Sequence, residues 1–256
     1  MVNKDKYRFS DFTIENYRRL LELAFENYRF ILFTDELTDN FNLKYIFLRH
    51  DIEFSIHDAL RMAEIESGMG IRATYFLQIH SEFYNPLDMG NYNCIKEILE
   101  NGHDLGLHFD SHYWGINSEK ELEEYIEIDK NIIETYFKIK IKVFSFHNTN
   151  DFVLSCENEN YGGLINTYSK RFKTEIGYNA DSTGYWRYER LEDRLKEAKD
   201  KSLQILIHEG MWQDEELPPR QRVFKIINIR AEYLKKFYDS TLKKFGAKNI
   251  DWENIY

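Results

Sequence analysis

Gly102-His-Asp-Leu-Gly-Leu-His-Phe-Asp-Ser-His112 is a stretch that carries three of the chain's eight histidines. Residues 104–107 predict a short buried strand that follows a turn at Gly102. His108 and His112 are four residues apart, a spacing that places two imidazoles on one face of a helical turn, close enough to share a metal ion. Because parallel α/β folds gather their chemistry at the carboxyl ends of strands, this stretch indicates such a fold.

A second stretch, Tyr45-Ile-Phe-Leu-Arg-His-Asp-Ile-Glu-Phe-Ser55, has the same organisation. Its apolar run ends in ionisable residues, which suit an active site better than a core. Asp51 would complete a site of two histidines and one carboxylate with His108 and His112, leaving positions open for water and substrate. The alternative interpretation is a solvated strand end whose acidic side chains only face water.

Strand and helix patterns alternate at least four times along the chain, and six predicted strand ends carry polar or ionisable groups. Such groups converge on one rim if the strands are parallel and form a closed or nearly closed barrel. A helix over about residues 12–28 and another over about 217–245 are predicted outside this barrel. No repeat or linker is visible, so we expect one domain over residues 1–256. The strand-end groups are His50 with Asp51, His80, His108, His147, Asp181 and His208.

Composition limits the partners and the compartment. The net charge of −10 argues against nucleic acids and anionic membrane surfaces as partners. Cys94 and Cys156 are too few for a disulfide framework and lack zinc-site spacing, so we expect two free thiols. No segment has transmembrane length and the first residues resemble no signal peptide, which predicts a cytoplasmic protein without membrane insertion.

The motifs in this order resemble the polysaccharide deacetylase (NodB-homology) family. They are His50-Asp-Ile-Glu53, Gly70-Ile-Arg-Ala-Thr-Tyr-Phe76 and the Gly102–His112 stretch. The resemblance covers roughly residues 45–212 and is strongest to a divergent branch whose first motif is His-Asp-x-Asp/Glu. It implies a distorted (β/α) barrel of about seven strands. It also implies a metal-dependent hydrolase that removes N-acetyl groups from amino sugars or surface-polysaccharide precursors.

The resemblance also implies roles for the first and second motifs. His108, His112 and Asp51 match the metal ligands of the family, and the metal is expected to be zinc, with cobalt, manganese or nickel as alternatives. His50 then stands where the family has its catalytic base, a departure that leaves Glu53 to supply the carboxylate. In a second register, Asp51 is the base and Glu53 the ligand. Residues i and i+2 of a strand share a face, so both carboxylates reach the site in either register.

The later motifs imply the remaining roles. His208, in Leu206-Ile-His208, matches the general acid of the family, and Asp181 matches the aspartate that orients it. Trp186 and Trp212 are candidates for sugar stacking, with ordinary core packing as the alternative. The arginine-containing third motif is replaced by Phe144-Ser-Phe-His-Asn148, and His147 is expected to take over part of its substrate contacts.

Two other functions fit the same sequence. The altered motifs suit hydrolysis of an amide or another C–N bond in a substrate that is not a sugar. The histidine at position 50 suits a carbohydrate-binding relative that has lost its base. A cytoplasmic hydrolase of this kind would act on a nucleotide-linked or lipid-linked sugar rather than on a finished wall polymer. A generic α/β barrel without metal is the remaining alternative.

Overall fold

A computed structural model describes residues 6–35 and 43–249 of the chain. Nine strands in these residues form one sheet, which curls into a half-barrel. They are β1 (Arg29–Ile31), β2 (Tyr45–Ile52), β3 (Thr74–Leu77), β4 (Asp104–Asp110), β5 (Val143–His147), β6 (Asn160–Tyr161), β7 (Leu164–Asn166), β8 (Gly177–Ala180) and β9 (Ser202–His208).

The strand order is β6-β7-β5-β4-β3-β2-β9-β8, with β1 paired to β2. Every pair is parallel except β6 with β7, so seven consecutive parallel strands run from β7 to β8. Among the described residues this path is open, with β6 at one end and β8 at the other. The prediction of a distorted (β/α) barrel of about seven strands is therefore confirmed.

Helices pack around the sheet. They are α1 (Ile14–Phe25), α2 (Ile56–Gly68), α3 (Met89–Glu100), α4 (Ser111–Trp114), α5 (Glu119–Phe137), α6 (Asp151–Ser155), α7 (Lys170–Thr174), α8 (Leu191–Glu197) and α9 (Pro219–Lys244). Among the described residues, no helix combines the length and the apolar composition needed to cross a bilayer.

Local sequence explains where α1 and α2 begin. The side chain of Thr13 accepts a hydrogen bond from the amide of Asn16, and Ser55 accepts one from the amide of Asp58. Each cap satisfies an amide that the first helical turn leaves without a backbone partner.

The two terminal helices are shorter than predicted, and the 1–256 domain prediction also spans residues outside the described ranges. Cys94 and Cys156 are buried free thiols, as expected.

The inner face of the sheet changes from apolar to polar along the strands. At its amino end, a cluster that includes Phe33, Phe47, Phe76 and Phe172 fills the barrel. A Cβ atom on Gly106 would lie 2.7 Å from the Phe76 ring, so glycine gives that ring its space. Every second residue of a strand faces inward. The inward side chains further along the strands are polar, and they lie beyond this apolar cluster. The inward residues nearer the carboxyl ends are Arg49, Asp51, His108, Ser145, His147 and His208.

Candidate active site

Glu53 lies where three strand ends meet, one residue after β2. Its Oε1 atom is 3.3 Å from His108 Nε2, 3.0 Å from His147 Nδ1 and 3.8 Å from His208 Nε2. Burial raises the pKa of Glu53, but the charge on His208 and hydrogen bonds from His108 and His147 outweigh it and hold that pKa well below its usual value. The carboxylate therefore stays ionised at neutral pH and is able to act as a ligand.

The donor atoms of Glu53, His108 and His147 all lie within 4.8 Å of one another. A carboxylate and two imidazoles form a donor set that suits zinc and other first-row divalent ions. Ser145 Oγ is 2.8 Å from His108 Nδ1, so the hydroxyl fixes the imidazole with Nε2 towards the cluster. Such a second contact is typical of metal-binding histidines. The residues present fit a divalent ion.

Asp51 is 1% exposed and is bound by its own strand. The Arg49 guanidinium donates to both carboxylate oxygens, from Nε at 2.8 Å and from Nη2 at 2.6 Å. Ser145 Oγ donates to Oδ1 at 3.2 Å. Burial raises the pKa of Asp51, but the adjacent Arg49 and His108 charges lower it below its usual value. Asp51 is thus an ionised carboxylate that lines the cavity beside the Glu53 cluster.

His208 is held by Asp181. Its Nδ1 atom is 2.6 Å from Asp181 Oδ1, and its backbone amide donates to both oxygens of that carboxylate at 3.0 Å. Trp212 Nε1 donates to Asp181 Oδ2 at 2.8 Å and completes the support. Burial lowers the pKa of His208, but the charges of Glu53 and Asp181 raise it to about 10. The ring is therefore protonated at neutral pH, with Nε2 facing Glu53.

Glu209 fixes the loop that carries Glu53. It follows His208 directly and is fully buried. Its carboxylate accepts hydrogen bonds from the backbone amides of Glu53 at 3.2 Å, Phe54 at 2.6 Å and Ser55 at 2.7 Å. The ends of β2 and β9 are therefore joined by three hydrogen bonds to one side chain.

A cavity of about 1060 Å³ opens above these groups. Asp51, Glu53, His108 and His208 line its floor. Its walls include several aromatic side chains, and its lining also contains three cationic residues. The aromatic residues are Phe54, Phe146, Tyr168, Phe172, Tyr178 and Tyr188, and the cationic residues are Lys173, Arg187 and Arg220.

His50 points away from this cavity. It is fully buried on the outer face of β2, where its Nε2 atom is 2.8 Å from Glu66 Oε1. Its ring stacks on Tyr75 at 4.3 Å, and Tyr17 Oη lies 3.4 Å from Nε2. The predicted catalytic position of His50 therefore falls in a buried polar cluster between the sheet and the helices α1 and α2.

Two other predicted groups lie at the edge of the site or behind it. His112 is exposed and lines the cavity, but its Nε2 atom contacts Asn148 O at 2.7 Å and it is not part of the Glu53 cluster. Trp186 stacks on Phe12 at 5.2 Å, and Trp212 packs 5.4 Å from the same ring. The cavity lining contains neither tryptophan, so both pack behind Asp181.

Sequence reasoning overlooked Arg49, Ser145 and Glu209. Two of them were detectable, because Arg49 is two residues before Asp51 and Ser145 two residues before His147, the spacing that puts side chains on one strand face. Glu209 gave no comparable signal. Its role depends on the pairing of β9 with β2 in the sheet, which local sequence does not show.

Comparison with known proteins gives structural matches only. No protein-family model and no curated protein matches the chain. It is similar to the Xyl-CE4 domain of a multidomain xylanase from the hindgut metagenome of Trinervitermes trinervoides. The TM-score is 0.42 at 18% identity, with 80% of this chain and 92% of that one covered.

Two further solved structures show the range of these matches. The chitin deacetylase of Colletotrichum lindemuthianum has a TM-score of 0.43 at 16% identity and covers 72% of this chain and 80% of its own. A CE4 family pseudoenzyme of Bacillus anthracis has a TM-score of 0.40 at 14% identity, with coverage of 72% and 60%. These neighbours are polysaccharide deacetylases or their relatives, the family that the motifs resemble. At TM-scores below 0.5 they transfer no residue role, substrate or activity to this chain.

Proposed function

We propose that this protein is a divalent-metal-dependent hydrolase that removes an N-acetyl group from an amino sugar. The observation that carries the proposal is the convergence, at the wall of one cavity, of a Glu53–His108–His147 donor set with an ionised carboxylate and a protonated histidine, where Glu53, His108, Asp51 and His208 line the cavity. Amide hydrolysis needs an electrophile, a base for water and an acid for the leaving amine. The cavity supplies candidates for all three.

We assign Glu53, His108 and His147 as the metal ligands, with zinc as the expected ion. A divalent ion held by these three residues would supply a Lewis acid for the amide carbonyl. This is the second register of the sequence motif, with Asp51 as the base. It is favoured over Asp51, His108 and His112 because Arg49 already occupies both oxygens of Asp51, whereas Glu53 faces the imidazoles.

Asp51 and His208 then divide the proton transfers. Asp51, oriented by Arg49, accepts a proton from the water that attacks the carbonyl carbon. His208, oriented by Asp181, gives its Nε2 proton to the amine nitrogen as the C–N bond breaks. The products are acetate and a free amino sugar. Positioned acids and bases of this kind contribute about 10²–10⁴-fold each to the rate.

The cavity favours an anionic substrate. Arg187 and Arg220 have no carboxylate within salt-bridge distance in the described part of the chain, while Lys173 is paired with Glu157 at 3.1 Å. The two acids on the floor are already compensated by Arg49 and the histidines. A sugar with a phosphate or carboxylate substituent would match this lining, and Tyr178 or Tyr188 would supply the stacking surface.

We place the reaction in the cytoplasm, since two buried free thiols suit a reducing compartment. A nucleotide-linked or lipid-linked sugar would combine the amide with the negative charge. An amide substrate that is not a sugar remains the second candidate, and the cationic lining fits it equally well.

The test is metal content and acetate release in one preparation. We expect one divalent ion per chain by mass spectrometry. We also expect acetate to be released from N-acetylglucosamine 1-phosphate or UDP-N-acetylglucosamine when zinc or cobalt is present. His208→Ala should keep the metal and lose turnover, and Ile128→Ala, on the exposed face of α5, should change neither. Metal binding without acetate release from any sugar would favour the second candidate, and no metal binding would reject the hydrolase.

A further inference from the structure

Gln204 is a polar residue of the barrel interior that lacks a hydrogen-bond partner. It is the third residue of β9, and Leu206 and His208 follow it on the same strand face. Its side chain lines the cavity but is only 4% exposed. Within the described part of the chain, no donor reaches its Oε1 atom. Buried polar groups almost always have a partner, so this amide indicates that a partner from outside the chain completes it.

The cavity extends past the reactive groups to reach Gln204. Gln204 is four residues before His208, so its Cα atom lies about 13 Å closer to the amino end of the strand. Tyr178 is paired with Gln204 across β8 and β9. We call the part of the cavity that is lined by Phe172, Tyr178, Gln204 and Leu206 the inner compartment.

The inner compartment is largely apolar and offers one unengaged amide. The hydroxyl groups of Thr167 and Tyr168, which also line the cavity, already accept hydrogen bonds from Arg49 at 3.3 Å and 3.2 Å. Burial raises the pKa of Tyr178 well above its usual value, so its phenol is neutral. A charged ligand group would lose its hydration there without gaining a counter-charge. The compartment therefore suits an apolar chain that carries an uncharged hydrogen-bonding group, which Gln204 would bind.

The mouth of the cavity decides which part of a substrate reaches the inner compartment. Arg187 and Arg220 are exposed residues of the cavity lining, so they lie at its mouth. A sugar whose anionic group is held there presents its amide to the reactive groups. Because such an amide is planar and trans, its acyl carbon chain leaves in the direction opposite to the sugar. The acyl chain is therefore the part that enters the inner compartment.

We propose that the inner compartment binds an acyl chain that is longer than acetyl and carries a hydroxyl group, and that Gln204 selects this hydroxyl. The hydroxyl donates to Oε1 of Gln204 and accepts from its amide nitrogen. The inference rests on the proposed hydrolase function and names the amides that the enzyme prefers, with acetyl as the shortest acyl group. Water adds across the same C–N bond, and the products are a hydroxy acid and a free amino sugar.

The experiment is calorimetric binding to the full chain with His208→Ala, which prevents hydrolysis of the bound amides. The ligands are glucosamine 1-phosphates with an N-acetyl, N-butanoyl, N-(4-hydroxybutanoyl), N-hexanoyl or N-(6-hydroxyhexanoyl) group. We expect the better hydroxyacyl amide to bind about tenfold more tightly than the acyl amide of the same length, the value of one hydrogen bond. Adding Gln204→Leu should remove this difference.

A matched variant and a stability measurement separate recognition from a structural role. Gln221→Leu makes the same change at an exposed residue of α9 outside the cavity lining, and it should leave the hydroxyl preference unchanged. Gln204→Leu should keep or raise Tm, because it removes a buried amide oxygen that has no partner among the described residues.

Three results would overturn the proposal. One is equal binding of the acyl and hydroxyacyl amides at both lengths, which would leave water as the partner of Gln204. Another is an equal loss of affinity in Gln204→Leu for every amide, N-acetyl included, which would place the sugar in the inner compartment. The third is a lower Tm in Gln204→Leu.

The fate of the hydrolase function is read separately, from acid release by the unchanged chain. Acid release without a hydroxyl preference in binding would keep the hydrolase and reject the role of Gln204. A hydroxyl preference without acid release from any amide would do the reverse.

Discussion

His50 and Asp51 are neighbours in sequence but lie on opposite faces of β2. His50 is bound to Glu66 at 2.8 Å on the outer face, and Asp51 to Arg49 at 2.6 Å on the inner face. Strand geometry requires this separation, since successive side chains alternate between the two sides of a sheet. The two residues are therefore expected to respond to substitution in different ways.

His50→Gln should lower stability and leave catalysis nearly unchanged, whereas Asp51→Asn should reduce kcat by about 10²–10⁴-fold. The first change disturbs a buried hydrogen-bonded cluster, and the second removes the proposed base. Thermal unfolding and acetate release on the two purified variants provide the measurement. A kcat loss in His50→Gln as large as that in Asp51→Asn would contradict this division of roles.

Metal binding should distinguish His147 from His112. His147→Ala removes one of three clustered donors, so we expect bound metal to fall to near zero, as it should in His108→Ala. His112→Ala should retain the metal because that ring lies outside the cluster. Mass spectrometry of dialysed proteins gives the answer. The reverse order would restore Asp51, His108 and His112, the ligand set predicted from the motifs.

Arg49 and Asp51 form a buried ion pair whose partners need each other. Arg49→Met leaves an uncompensated carboxylate, so we expect the free energy of unfolding to fall by about 3–5 kcal/mol. Arg49→Met/Asp51→Leu should recover much of that loss without recovering activity. Urea unfolding of the two variants measures both free energies of unfolding, and acetate release measures the activity. Equal stability in the single and double variants would show that the pair is not coupled.

Arg187 and Arg220 line the cavity without a carboxylate partner among the described residues, and they should select for charge. Arg187→Gln/Arg220→Gln should raise KM for N-acetylglucosamine 1-phosphate by about tenfold or more, since charge-assisted contacts are lost. KM for neutral N-acetylglucosamine should change little. Arg18→Gln, an exposed arginine of α1 outside the cavity lining, is the matched control. A parallel change for both sugars would remove the evidence for an anionic substrate.

Glu192 should make stability depend on pH at the contact of α1 with α8. Hydrogen bonds from Arg19 and Lys196 lower its pKa from 4.5 to about 2. Because the folded pKa is below the unfolded one, this stabilisation is present above pH 4.5 and is lost as the pH falls towards 2. Glu192→Gln should cost about 1 kcal/mol at pH 7. In urea unfolding, the difference should shrink at pH 3. A constant difference would exclude this linkage.

The barrel was predictable because each strand can be recognised from a short segment of sequence. Apolar runs such as residues 45–48 end abruptly in ionisable residues, and parallel strands bring such ends to one rim. The shared face of Asp51 and Glu53 also followed from their spacing alone. These features need no knowledge of distant contacts.

The assignments within the site were harder to predict, because they depend on contacts between strands. His108 and His112 have ideal helical spacing, but His108 is inside β4 and His112 is in the following helix, so the structure separates them. His147 reaches Glu53 because β5 is paired beside β4. Trp212 supports Asp181 from behind only because the end of β9 turns over the residues around Phe12.

Glu209 has a consequence for how the site behaves as a whole. One dipeptide, His208–Glu209, presents the protonated ring to Glu53 and also holds the Glu53 amide. The proposed acid and the proposed carboxylate ligand are therefore linked through one dipeptide, and we expect a shift of either to be transmitted to the other. Effects of substitutions at positions 53, 208 and 209 are thus expected to be non-additive in a double-mutant cycle. The hydrogen bonds of Glu209 thus hold the end of β2 at a fixed distance from the end of β9 at the rim of the barrel.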